Sequence, residues 1–131
     1  MSSNHPPRTC ARDLQPIFES VGRVFSVLGE PARLRILHAL CQEERCVNDI
    51  IQVTGLAQAN VSRHLGRLYQ AGLLVRRREG AQVFYRVADS APLDLCRVIA
   101  AQVMARQGSA QRDGDRFSSV FPLDTKEQAS V

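Results

Sequence analysis

The stretch "AQANVSRHLGRLYQAG", followed at once by "LLVRRREGAQVFYRVAD", restricts the folds open to this chain more than any other part of it. The first half carries Val61, Leu65 and Leu68 at helical spacing, and Gly72 stands where the helix must stop. The second half sets two short β-prone runs on either side of "EGAQ", with Gly80 supplying the turn, and so predicts a hairpin. A helix therefore runs straight into a two-stranded ribbon, and the rest of the chain has to provide the core for both.

The preceding segments are helical. "DLQPIFESVGRVFSVLG" places Leu14, Ile17, Val21, Val24, Phe25 and Leu28 at helical spacing, and Gly29 ends it. Pro31 opens a second helix, "PARLRILHALCQEE"; proline suits a first helical position because its missing N–H would have had no partner there. Leu34, Leu37, Leu40 and Cys41 form its apolar face, and Arg35, His38 and Gln42 its polar, solvated one. A short third helix is expected at roughly 48–53, closed by Thr54-Gly55. A last amphipathic helix starts near Pro92, with Leu95, Cys96, Ile99 and Val103 on one side. Residues 1–12 are polar with two prolines and read as a mobile arm; 107–131 lack periodic hydrophobics and read as a disordered tail. The 131 residues thus make one domain, 13–106, mainly α with a small β-hairpin wing. No apolar run approaches the ~20 residues that span a bilayer. The N-terminus lacks the charged start and apolar stretch of a signal peptide, so a cytoplasmic location is expected.

Helix three, the turn Thr54-Gly55-Leu56 and helix four have the dimensions of a helix-turn-helix. The outward positions of helix four read as Gln58, Asn60, Ser62, Arg63, His64 and Arg67, none of them acidic. Glutamine and asparagine can pair with adenine edges, arginine with guanine, and serine can reach phosphate. An ordinary surface helix would more often mix in Glu and Asp. The hairpin adds Arg76, Arg77 and Arg78 before its turn, Gln82 beside it and Arg86 after it. Side chains alternate faces along a strand, so the three arginines cannot share one role. They either guard an edge strand or touch backbone phosphates from a wing. The net charge of +4, with sixteen of seventeen basic residues arginine, permits nucleic-acid binding; a GC-rich genome would also favour arginine codons.

In this order, "LGEPARLRILHAL", "CVNDI", "GLAQANVSRHLGRLYQAGLL" and "RRREGAQVFYRV" resemble the ArsR/SmtB family of bacterial winged-helix repressors, over roughly residues 14–106. The resemblance implies a winged helix-turn-helix homodimer, paired through its first and last helices. Such a dimer binds a palindromic double-stranded DNA operator and lets go when an inducer binds. The family includes sensors of arsenite, zinc, cadmium, persulfides and oxidants. No resident cofactor is implied, only an inducer ion such as arsenite, zinc or cadmium.

The four cysteines, at 10, 41, 46 and 96, form no C-x-x-C and no zinc-finger spacing, and a disulfide framework is not expected in a reducing cytoplasm. Many family members begin the third helix with a Ser and an acid three residues on, a capping box; Cys46 and Asp49 occupy those positions here, with Asn48 as a competing cap. A thiol at a helix N-terminus is favoured as thiolate, although Glu43, Glu44 and Asp49 act against that. The plain alternative is a poor substitute cap. Arsenic sensors carry Cys-Val-Cys-Asp at this point, and Asn48 replaces their second thiol. Zinc and cadmium sites of the family keep the Cys and the Asp and add ligands from the N-terminal arm, which implies Cys46, Asp49 and Cys10, with His5, as the metal set. The zinc site on the family's final helix is absent, since only Asp89 fits and Ala91, Gln102 and Ala105 fill the other positions. Persulfide sensors pair cysteines that fall at His38 and near Val103 here, so a dithiol switch would have to use Cys41 and Cys96 instead; packing is the plain alternative for both.

Two other classes compete with a repressor. A protein-interaction winged helix would have no reason for a non-acidic fourth helix, and competition by unlabelled operator separates the two. A thiol-dependent enzyme would need a nucleophile–base pair or C-x-x-C, neither of which the sequence offers; turnover of a thiol substrate would be its mark.

Overall fold

Proline and glycine divide the chain where the spacing predicts. The computed structural model describes residues 13–107; the expected arm at 1–12 with His5 and Cys10, and the expected tail beyond 107, lie outside them. Among the described residues, five helices and three strands run in the order α1 (Gln15–Leu28), α2 (Pro31–Leu40), β1 (Arg45–Cys46), α3 (Val47–Thr54), α4 (Gln58–Gln70), β2 (Leu74–Glu79), β3 (Gln82–Val87) and α5 (Ala91–Arg106). Proline stands in the first turn of α1, α2 and α5.

The core lies where α2, α3 and α4 meet. Ile36, Leu37, Ile50, Val61, Leu65 and Leu68 are fully buried there, and burial of each such side chain is worth roughly 1.5–3 kcal/mol. Val61, Leu65 and Leu68 face inward as their spacing predicts. Ile36 does too, although the stripe drawn through Leu34, Leu37 and Leu40 omitted it. Two glycines with positive φ stop the two helices that flank the turn at 55–57. Gly55, at φ 72°, ends α3 and donates its amide to the Ile51 carbonyl at 2.9 Å. Gly72, at φ 81°, ends α4. There the Leu73 amide donates to Leu68 and the Gly72 amide to Tyr69, both at 3.0 Å. This paired closure of a helix end demands a left-handed residue, which glycine supplies without steric cost.

The ribbon is larger than expected. β2 and β3 pair antiparallel across the two-residue turn Gly80-Ala81, and β1 adds a third strand against β3, with Arg45 opposite Tyr85 and Cys46 opposite Phe84. Two residues are too few to leave a period, so β1 has no sequence signal. Its formation moves the start of the third helix. Cys46 is the N-cap of α3 in extended conformation, and Val47 is its first residue. Asn48 is therefore inside the helix, not its cap, and the helix is Val47–Thr54 where 48–53 was expected. The Cys46 side chain makes no capping hydrogen bond, so the capping-box residue types are present without the bond. His38, expected on a solvated face, is half-buried near the end of α2.

α1 and α5 cover little of the core. α1 buries only Leu28, and leaves Ile17, Phe18, Val21 and Phe25 about half exposed; α5 leaves Val98, Ile99 and Val103 exposed while burying Leu93, Ala100 and Met104.

Candidate nucleic-acid interface

The turn between α3 and α4 is fastened from inside. Thr54 is buried; its hydroxyl donates to the Ile50 carbonyl at 2.6 Å and accepts the Leu56 amide at 3.3 Å. Arg35 of α2 donates to the Thr54 carbonyl. The backbone that aims α4 is thus held by side chains from both neighbouring helices.

α4 starts at Gln58 with no acidic residue in its first turn and no side-chain cap, so its leading N–H groups and the positive end of its dipole stand open to an anion. Gln58, Asn60, Ser62, Arg63 and Arg67 are exposed. Arg63 donates to the Asn60 amide oxygen at 3.2 Å, an i,i+3 contact that links two base-reading types.

His64 departs from the expected outward set. It is 5% exposed, and its Nδ1 accepts the Arg33 Nε–H at 3.1 Å. The reason is helical spacing: residue 64 follows Val61 by three and precedes Leu68 by four, which brings it to the buried stripe. Burial, first, and then the neighbouring Arg33 lower its pKa.

The wing divides its arginines. Arg77 is held by Glu44 at 2.7 Å and also by Glu79, and its guanidinium lies 4.7 Å from the centre of the Phe84 ring. Its hydrogen bond holds the Glu44 carboxyl below its ordinary range. Arg76 lies 4.0 Å over the Tyr69 ring at the end of α4, which ties the wing to the helix through a cation–π contact. Arg78 is exposed and forms no ion pair among the described residues. Gln82, opposite Glu79 beside the turn, is exposed.

The expected metal and redox residues are less well assembled. Cys46 is buried, 8% exposed, and Asp49 is exposed in the first turn of α3; Cys10 lies outside the described residues. Among the described residues no three His, Cys, Asp or Glu side chains gather as an ion requires. Cys41 and Cys96 are free thiols, both half-buried, and burial is the main force raising the pKa of each. Among the described residues no helix is long and apolar enough to cross a membrane.

The sequence signature of bacterial regulatory proteins of the arsR family matches residues 30–75, from the start of α2 into β2. An uncharacterized HTH-type transcriptional regulator of Mycobacterium tuberculosis is 34% identical over 93 residues, 70% of this chain and 81% of the relative. The crystal structure of that regulator superposes with a TM-score of 0.60 over 72% of this chain and 95% of its own. A homodimeric winged helix-turn-helix DNA-binding domain from Mycobacterium bovis, a possible ArsR-family transcriptional regulator solved by NMR, is 32% identical; its TM-score is 0.60 over 81% of this chain and 92% of its own. A probable mercury resistance operon repressor of Streptomyces lividans is 32% identical over 95 residues, 72% of this chain and 74% of the relative. By the family signature over residues 30–75 and a relative 34% identical over 70% of the chain, this chain belongs to the arsR family of bacterial regulatory proteins.

Proposed function

We propose that the chain is a transcriptional repressor that binds a palindromic operator as a homodimer and is released by a soft-metal or thiol-reactive signal at Cys46. The observation that carries the reading is the outward face of α4. It joins Gln58, Asn60, Ser62, Arg63 and Arg67 without an acid, and Arg78 on the adjoining wing has no ion pair among the described residues. Such a face suits a major groove, with the wing reaching phosphates. Gln82 and Arg76 belong to the flank of this surface. Arg77, neutralised by Glu44 and Glu79, and His64, turned inward, support it instead of touching DNA.

The dimer rests on the apolar faces of α1 and α5. Phe25, Leu34, Cys96, Ile99 and Val103 line an open cavity of about 350 Å³ between them, and contiguous apolar surface of this kind marks an interface. The homodimeric Mycobacterium bovis relative supports a dimer.

The signal is assigned to Cys46 because β1 connects it directly to the wing strand β3. The mercury resistance repressor of Streptomyces lividans supports a thiol-directed inducer. Cys46 and Asp49 supply two donors, and a full coordination sphere requires residues outside 13–107. The raised pKa values of Cys41 and Cys96 disfavour their thiolates, and with them a dithiol switch.

Fluorescence anisotropy of the reduced full chain on its own promoter fragment tests the whole reading. Binding is expected to survive Cys46→Ser and to be lost in Arg63→Ala with the dimer intact. Arsenite, zinc, cadmium or a persulfide donor should release the parent but not Cys46→Ser. Equal release of both moves sensing to Cys41 and Cys96, and full affinity in Arg63→Ala overturns the DNA-reading face.

A further inference from the structure

Arg33, half-buried on α2, bonds to two other helices at once. Its Nη1 donates to the Val27 carbonyl at 3.0 Å and, more loosely, to that of Ser26 at 3.5 Å, both in the last turn of α1. Its Nε donates to His64 Nδ1 in the middle of α4. One guanidinium on α2 therefore spans from α1 to the reading helix. We infer that Arg33 and His64 are positioning residues for DNA reading: the neutral imidazole ties α4 to the α1–α2 corner, and a proton on it breaks that tie and weakens operator binding. The inference rests on the repressor reading above.

The chemistry allows only one protonation state. Arginine has no acceptor, so Nδ1 must keep its lone pair and the ring must be neutral. A proton at Nδ1 would set two donors head to head inside a part-buried contact. It would also add a cation among Arg33 of α2 and Arg63 and Arg67 of α4, with Glu30 at the start of α2 as the opposing charge among the described residues; α1 contributes backbone carbonyls. The strain is relieved by moving α4 away from α2. In a dimer that must match two successive major grooves, that shift misplaces both reading helices. General electrostatics predicts the reverse, since an added positive charge near phosphate tightens binding. The sign of the pH effect therefore separates a positioning role from simple charge.

The test is anisotropy of the full chain on its promoter fragment at constant ionic strength, from about pH 7.5 to about pH 5.5, where imidazoles titrate. The parent should bind several-fold more weakly at the acid end, short of the roughly tenfold that one lost charge-assisted hydrogen bond sets, because the lowered pKa of His64 leaves the ring only partly protonated there. His64→Asn offers an amide oxygen close to the place of Nδ1 and does not titrate, so its profile should be flat. His64→Leu, without an acceptor, should be weak throughout. Parent and His64→Asn profiles that run parallel overturn the inference and leave the repressor reading standing. Parent affinity that rises with acid overturns it whatever the variants do, and failure to bind the promoter at about pH 7.5 removes both readings.

Discussion

Arg77 and Arg78 are neighbours on β2, yet Glu44 and Glu79 already hold the first, while the second has no ion pair among the described residues. Only a cation free of other partners displaces counterions from DNA at full value. Arg78→Ala is thus expected to weaken binding for all sequences and to lower the salt slope of log affinity by about 1; Arg77→Ala should change the slope clearly less. Salt titrations of the two variants check this. His64 carries a stability prediction of definite sign. Its folded pKa is depressed, so the unfolded chain takes the proton more readily. Its contribution is complete above the ordinary value of about 6.5 and is lost as pH falls through that value towards the folded one. The thermal midpoint of the parent should therefore fall on acidification more than that of His64→Asn. At this scale the sequence revealed residue types but not their partners. Alternation along β2 predicted that the three arginines divide; of the two acids that hold Arg77, Glu79 is two positions along the strand but Glu44 is 33 positions away, beyond any local pattern. His64 sits at the margin between two helical faces, where a polar residue name suggests the wrong one.

Among the elements, the strongest local signals were the most faithful. α2 opens at Pro31, α4 stops before Gly72 and the hairpin turns at Gly80, because proline and glycine constrain the backbone itself and need no partner. β1 and the cap of α3 were not legible for the opposite reason. A two-residue strand forms only because β3 is already there, and the cap depends on the strand. Gly55→Ala would force a left-handed φ on a residue with a Cβ and should cost about 1 kcal/mol. Ile36→Ala would open a cavity in the fully buried centre and should cost about 2–5 kcal/mol. Chemical denaturation of both variants measures the difference, and a smaller loss for Ile36 than for Gly55 would mean that the core is placed wrongly.

For the whole molecule, the stripes on α1 and α5 show a limit of periodicity. Ile17, Val21 and Phe25 stand at helical spacing in the sequence and are exposed in the chain, since spacing records that a face must be buried and not which chain buries it. Phe25→Glu is expected to give a folded monomer by sedimentation and to weaken operator binding steeply, because two half-sites would no longer be held together. Unchanged mass would place the interface elsewhere. The two sides of α4 have a consequence of another kind. Val61, His64, Leu65 and Leu68 fasten the helix to the body, while Gln58, Ser62 and Arg67 are displayed from it and hold no part of the fold. The displayed letters can therefore change with little effect on folding. A lineage carrying this scaffold is free to acquire new target sites one exposed side chain at a time, with the body serving unchanged as their carrier.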